Sequence, residues 1–162
     1  MRTFTTTAVT LALGLGVAAC SDDAAALSRP DYVTQANAIC TGADGQIAPI
    51  WEEFWSSVDP AQSPTENEEM FDRFVIVVDE TASVWDDSLA ALRDLGEPEG
   101  DEAELERLFD DFEAALAEFQ SLVRAAADGS EEARLALEDE DIFGDVNLRA
   151  RQYGLDVCGA ED

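Results

Sequence analysis

The chain has 162 residues, with 37 acidic side chains against nine basic ones, no histidine, and a formal charge of -28 at pH 7. All nine basic residues are arginine; so few cations cannot displace the counterions of DNA, RNA or an anionic lipid surface, and those partners are excluded. Without His or Lys the chain also lacks imidazole metal ligation, a histidine general base, Schiff-base chemistry and a P-loop, while hydrophobic residues at 46% are enough to build the core of one domain.

In chain order, the first element is a targeting signal. Arg2 supplies a short positive start, and Ala8 to Ala19 form an apolar stretch of 12 residues. That is shorter than the about 20 residues a bilayer span requires and suits a signal-peptide core. The stretch ends Val17-Ala18-Ala19-Cys20, followed by Ser21-Asp22-Asp23, and resembles the lipobox of bacterial lipoproteins. The resemblance implies a diacylglycerol on the Cys20 thiol, cleavage before Cys20, and acylation of the new amine. Two or more acyl chains anchor stably, at about 0.8 kcal/mol per buried methylene. The competing reading is an ordinary secretory signal with a cysteine beside its cleavage site. On the lipoprotein reading, residues 1–19 are the removed signal, 20–28 the lipidated cysteine with an acidic tether, and 29–162 the folded domain. Removing the signal takes away Arg2 and no acid, so the charge excess belongs to the domain.

Beyond the tether the apolar residues recur with a helical period. Segment one carries Tyr32, Ala36, Ile39, Ala43, Ile47, Ile50 and Phe54, with Ser28 and Asp31 as its start signal and Pro49 expected to kink or split it. After a break at Val58 to Gln62, Ser63-Pro64-Thr65-Glu66 reads as a capping box with proline at the first helical position. Segment two then carries Phe71, Phe74, Val78, Ala82, Trp85, Leu89 and Leu92 up to Gly96-Glu97-Pro98-Glu99-Gly100. Segment three, opened by Asp101 and Glu104, carries Leu105, Phe109, Phe112, Leu116, Phe119, Val123 and Ala126, and ends at Asp128-Gly129. Residues 130 to 138 leave room for a short extra helix. Segment four carries Ile142, Val146, Ala150 and Tyr153, with Asp141 as its expected N-cap. No stretch alternates with the period of a strand. The expected fold is all-α: an antiparallel up-down four-helix bundle with a kinked first helix. Acids one turn from arginines (Glu69/Arg73, Glu104/Arg107, Glu131/Arg134, Asp145/Arg149) read as ion pairs along helix surfaces.

Cys40 lies in the first helix and Cys158 follows the last one. An antiparallel bundle brings the end of its last helix beside the start of its first, and an exported compartment favours oxidation, so a Cys40–Cys158 disulfide is expected. Two free thiols or a redox pair are the alternative, but there is no CxxC spacing and no neighbouring base to activate a sulfur. The residues Tyr32-Val-Thr-Gln-Ala-Asn-Ala-Ile-Cys40 and Ala150-Arg-Gln-Tyr-Gly-Leu-Asp-Val-Cys158 resemble a pattern in small actinobacterial secreted proteins and lipoproteins. There a Y-x-x-x-A-x-x-x-C helix and a terminal Y-G-L-x-x-C element flank an acidic helical body. The resemblance covers the two ends and implies a helical, disulfide-closed exported domain. It carries no catalytic residue.

Few side chains remain as candidate sites. Asp139-Glu140-Asp141-Ile142-Phe143-Gly144 begins like a calcium loop, but Phe143 and Ala150 stand where an EF-hand needs ligands, so no metal or cofactor site is expected. Serines lack a His or Lys base and no G-x-S-x-G elbow occurs. Paired acids are too numerous to mark a glycosidase. Trp51 and Trp55, one turn apart, and Trp85 are candidate contacts for a partner or ligand, against the plainer reading that they fill the core. The expectation is a non-enzymatic, membrane-anchored lipoprotein on the outer face of the cytoplasmic membrane. It acts by contact with an envelope protein, or alternatively binds a cationic or hydrophobic small ligand. An apolar cavity bordered by inward acids favours the ligand, and a packed core with an exposed aromatic patch favours the protein contact.

Overall fold

A computed structural model describes residues 27–58, 68–139 and 141–160. The lipobox, Cys20, most of the tether and the Ser63–Glu66 capping box lie outside these residues. Five α-helices follow one another: α1 Arg29–Ser56, α2 Glu68–Asp94, α3 Glu102–Ala127, α4 Glu131–Asp139 and α5 Gly144–Tyr153. Among the described residues there is no strand.

Among the described residues there are therefore five helices, not the four expected, with α4 filling the stretch left open for a short extra helix. α3 stops where Gly129 takes φ +93°, a conformation that favours glycine. Ser130 immediately restarts the chain, its hydroxyl accepting from the Ala133 N–H at 3.2 Å. Ala133 and the partly buried Leu137, one turn apart, then dock on Ala126 of α3 and Phe71 of α2. That gives the nine-residue α4 an apolar face of its own. The single closing helix of the expected bundle is replaced by two short ones, both packed on α3.

α1 begins on Ser28, whose hydroxyl accepts from the Asp31 N–H at 3.3 Å, with proline in the first turn. It runs through Pro49 without being split. Proline removes the hydrogen bond to the Gly45 carbonyl four residues earlier. Gly45 and Pro49 are both exposed, so water can satisfy the freed oxygen.

α1 and α2 are antiparallel, since Tyr32 shares a core cluster with Leu92 while Phe54 packs with Met70. α3 runs back along α2, placing Arg93 on Asp110 and Glu113 and Arg124 on Asp79 at 3.1 Å. α5 descends antiparallel to α3, with Phe143 against Phe119 and Phe112 and Arg149 against Asp111. These arginines reach across to other helices instead of pairing one turn along their own; Arg149, expected on Asp145, is on Asp111. Partly exposed pairs of this kind contribute about 0–1 kcal/mol each. The principal core lies where the start of α1 meets α5, joining α1, the end of α2, the start of α3, α5 and Leu155.

Candidate functional site

The two end motifs interlock. Tyr32, Ala36 and Cys40 occupy one row of α1 and are each 0% exposed. Opposite them, α5 ends on Gly154 at φ +109°, where the Leu155 N–H bonds the Ala150 carbonyl and the Gly154 N–H that of Arg151. This is a Schellman turn, and its apolar contact is supplied by buried Leu155 and Ala150. The turn aims the tail at α1. Tyr153 meets Tyr32 edge to face at 6.2 Å, and Cys158 forms a disulfide with Cys40, Cα to Cα 5.2 Å. Asn37, which sequence reasoning did not single out, holds the turn: its Nδ2 donates to the Gly154 carbonyl and its Oδ1 accepts from the Val157 N–H, both at 3.0 Å. Thr34 and Gln35 beside it are equally polar, so nothing in the local sequence marks Asn37 apart from its place next to the buried row of Ala36 and Cys40.

The carboxylates expected as caps do other work here. Asp101 makes no side-chain cap bond to α3; it accepts from the Tyr153 hydroxyl at 2.8 Å and pairs with Arg29 at 3.7 Å. Phe143, not Asp141, occupies the N-cap position of α5. Arg29 also lies over the Tyr153 ring, 4.0 Å from its centre. Burial pushes the Tyr32 hydroxyl up to about 12, with Glu97 adding a smaller push the same way. Burial, followed by the Asp101 hydrogen bond, raises Tyr153 further. Both phenols stay neutral at physiological pH. Their ring contact fastens the end of α5 to the start of α1, and their hydroxyls donate to the Leu92 carbonyl and to Asp101.

Trp85 is half-buried against this core and tilts onto Phe112 at 5.4 Å. With Leu89, Phe109, Val146, Cys40 and Cys158 it lines an apolar cavity of about 30 Å³. That volume is about one water molecule's share of the liquid, far below what a small organic ligand needs. No carboxylate lines it.

Trp51 and Trp55 lie at the other end of α1, separate from Trp85. Their rings stack at 6.2 Å with 22° between planes. Phe54, 1% exposed, sets its edge on Trp55 at 4.8 Å, and Phe74 of α2 approaches Trp51 at 6.0 Å. The pair is thus braced from below by core aromatics, while Trp55 remains 50% exposed. Asp44, Ile47, Ala48, Trp51 and Trp55 line an open groove of about 420 Å³. Other large apolar residues are exposed among the described residues: Ile76 of α2 lines a groove of about 340 Å³ with Ile50 and Phe54, Leu135 of α4 lines one of about 570 Å³ with Leu122 and Ala133, and Leu148 is on α5. Neither of these grooves carries a tryptophan.

Among the described residues, no group of three or more Asp, Glu or Cys side chains is placed to hold a metal ion. No described helix is long and apolar enough to cross a membrane. No protein-family profile, curated protein sequence or solved structure matches this chain.

Proposed function

We propose that this chain is an exported lipoprotein, held to the outer face of the cytoplasmic membrane through Cys20, whose helical domain acts by contact with another envelope protein and not by catalysis. The observation that carries the contact reading is the braced Trp51–Trp55 pair, whose Trp55 is half open to water, on a domain whose apolar core cavity is water-sized. A rigid aromatic platform loses little side-chain freedom on binding, which is why such residues dominate protein interfaces. The small-ligand alternative has no room in the core, because the 30 Å³ cavity holds no organic molecule and no acid borders it; the Trp51–Trp55 groove itself is an acid-bordered space of ligand size. The anchoring reading rests on Val17-Ala18-Ala19-Cys20 and the acidic tether, and the disulfide suits an oxidising compartment. Membership of the actinobacterial group with the Y-x-x-x-A-x-x-x-C and Y-G-L-x-x-C elements belongs to the same proposal.

Two experiments in the native host test the halves separately. Cys20→Ala is expected to move the protein from the membrane to a soluble fraction; continued membrane association defeats the anchoring. A photo-crosslinking amino acid at Trp55 is expected to give a discrete protein adduct in intact cells. The same adduct from Leu135, on α4, would defeat the assignment of the contact to this face.

A further inference from the structure

The Trp51–Trp55 face has a geometry and a charge setting that narrow its occupant. Asp44, Ile47, Trp51 and Trp55 follow Cys40 at intervals of four, three, four and four, so they continue its row along α1. At Cys40 that row is covered by the C-terminal segment, through the disulfide. Beyond it α1 packs, among the helices, against α2 alone. From Asp44 to Trp55 the open stripe spans about 16 Å, three helical turns. Intervals of three and four are those of a helix-packing seam, with side chains able to receive a second helix.

Charge decides what kind of helix. Between residues 30 and 56 α1 contains Asp31, Asp44, Glu52 and Glu53 and no basic residue. Asp44 lines the groove itself and exposed Glu52 lies on its flank, whereas Glu53 turns to the far side of α1 and lines another groove with Arg73 and Ile76 of α2. A second copy of this chain would bring another net charge of -28 against the first. An acidic partner or an anionic lipid surface meets the same repulsion, whereas lysine or arginine flanking an apolar stripe is drawn in. The open face of Trp55 also attracts a cation by its ring quadrupole.

From these observations we infer that the α1 stripe is a docking groove for a cationic amphipathic helix of a partner protein. Its leucine-like residues lie over Ile47, Trp51 and Trp55, and its Lys or Arg side chains reach Asp44 within the row and Glu52 on its flank. The inference rests on the contact reading proposed above and names the chemistry of that partner.

The test uses the full chain carrying Cys20→Ala and three synthetic helices of about 18 residues. One places leucines at alternating three- and four-residue spacing with lysine flanks. The second carries glutamate in place of lysine, and the third has the first one's composition scrambled so that no apolar stripe forms. Saturable binding of the first is expected, with no binding of the second and at least roughly tenfold weaker binding of the third. Trp55→Ala and Ala48→Arg, both at exposed positions, are each expected to weaken the patterned helix by about tenfold or more, as for a central interface tryptophan. The double change Asp86→Asn and Asp87→Asn, on exposed α2, leaves binding within about twofold if the site is on α1. Equal binding of patterned and scrambled helices overturns the inference, because the acidic coat is then attracting cations without a site. Binding indifferent to both Trp55→Ala and Ala48→Arg overturns it as well, as does concentration-dependent dimerisation in sedimentation that Trp55→Ala abolishes. If the patterned helix fails to bind while the Trp55 crosslink in cells persists, the cationic-helix inference falls and the contact reading stands.

Discussion

Breaking the Cys40–Cys158 bond is expected to have the largest single effect on stability. The two cysteines are 118 residues apart, so the bond closes almost the whole domain into one loop. For a loop of that length the chain-entropy relation gives about 5 kcal/mol at 25 °C, near the top of the range seen for disulfides. The loss falls on the unfolded chain, which regains freedom when the bond opens. In the native state Tyr32 on Tyr153, the two Asn37 hydrogen bonds and buried Leu155 still hold the tail to α1. The reduced protein should therefore fold, with less margin. Urea unfolding of the chain with Cys20→Ala, followed by tryptophan fluorescence and far-ultraviolet circular dichroism with and without reductant, measures the difference. At roughly 1–3 kcal/mol/M the midpoint should fall by about 2 M or more, with a steeper slope, because the opened unfolded chain exposes more surface. A fall under about 0.5 M would refute the view that the closed loop restrains the unfolded chain. Two reactive thiols in the unfolded, unreduced protein would refute the bond itself.

Other perturbations probe the same end of the molecule. Asn37→Ala leaves the Gly154 carbonyl and the Val157 N–H without their partner and should cost about 1–3 kcal/mol in urea unfolding; a change near zero means that water replaces the amide. Gly159→Ala would put a methyl group 2.5 Å from the Asn147 carbonyl oxygen and should destabilise by about 1–3 kcal/mol, whereas an unchanged melting temperature would show that the tail shifts freely. The chain's two tyrosines, Tyr32 and Tyr153, both ionise above their ordinary value when folded. Their contribution is therefore present below about pH 10 and is lost as pH rises through the folded values. Ultraviolet titration should show both phenolates forming near pH 10 in denaturant and none at that pH in the native protein; native ionisation there contradicts their burial.

The long helices are legible because seven-residue apolar rows persist over 26 to 28 residues in α1, α2 and α3, long enough for the helical period to stand out. α4 has only Ala133 and Leu137 as its anchors, and so short a row does not separate a helix from a connection before Phe71 is in place to receive it. Caps and ion pairs misread by spacing share one cause. Asp101 had Arg29 and Tyr153 available as partners, and Arg149 had Asp111, all from distant sequence. Asn37 is the extreme case, since its partners are backbone groups 117 and 120 residues away. At the candidate site the one-turn spacing of Trp51 and Trp55 shows that they share a face. Whether that face is covered depends on the lengths of other elements.

Those lengths also explain why the exposed face lies where it does. α1 has 28 residues, about 42 Å, and α5 has ten, about 15 Å. The described tail beyond α5 turns at Gly154 and is tied to α1 through Asn37 and the disulfide at Cys40. A closing helix as long as the first would bury the whole row from Cys40 to Trp55, and the tryptophans would then be core. Two short helices in its place leave Ala43 and Phe54 covered while Trp55 stays half exposed. The -28 charge acts on what is left open: it opposes self-association through an aromatic stripe that would otherwise favour it, and attracts only surfaces of opposite sign. Neutralising the acids beside that stripe should therefore do two things together, weakening the hold on a basic helix and permitting the chain to pair with itself.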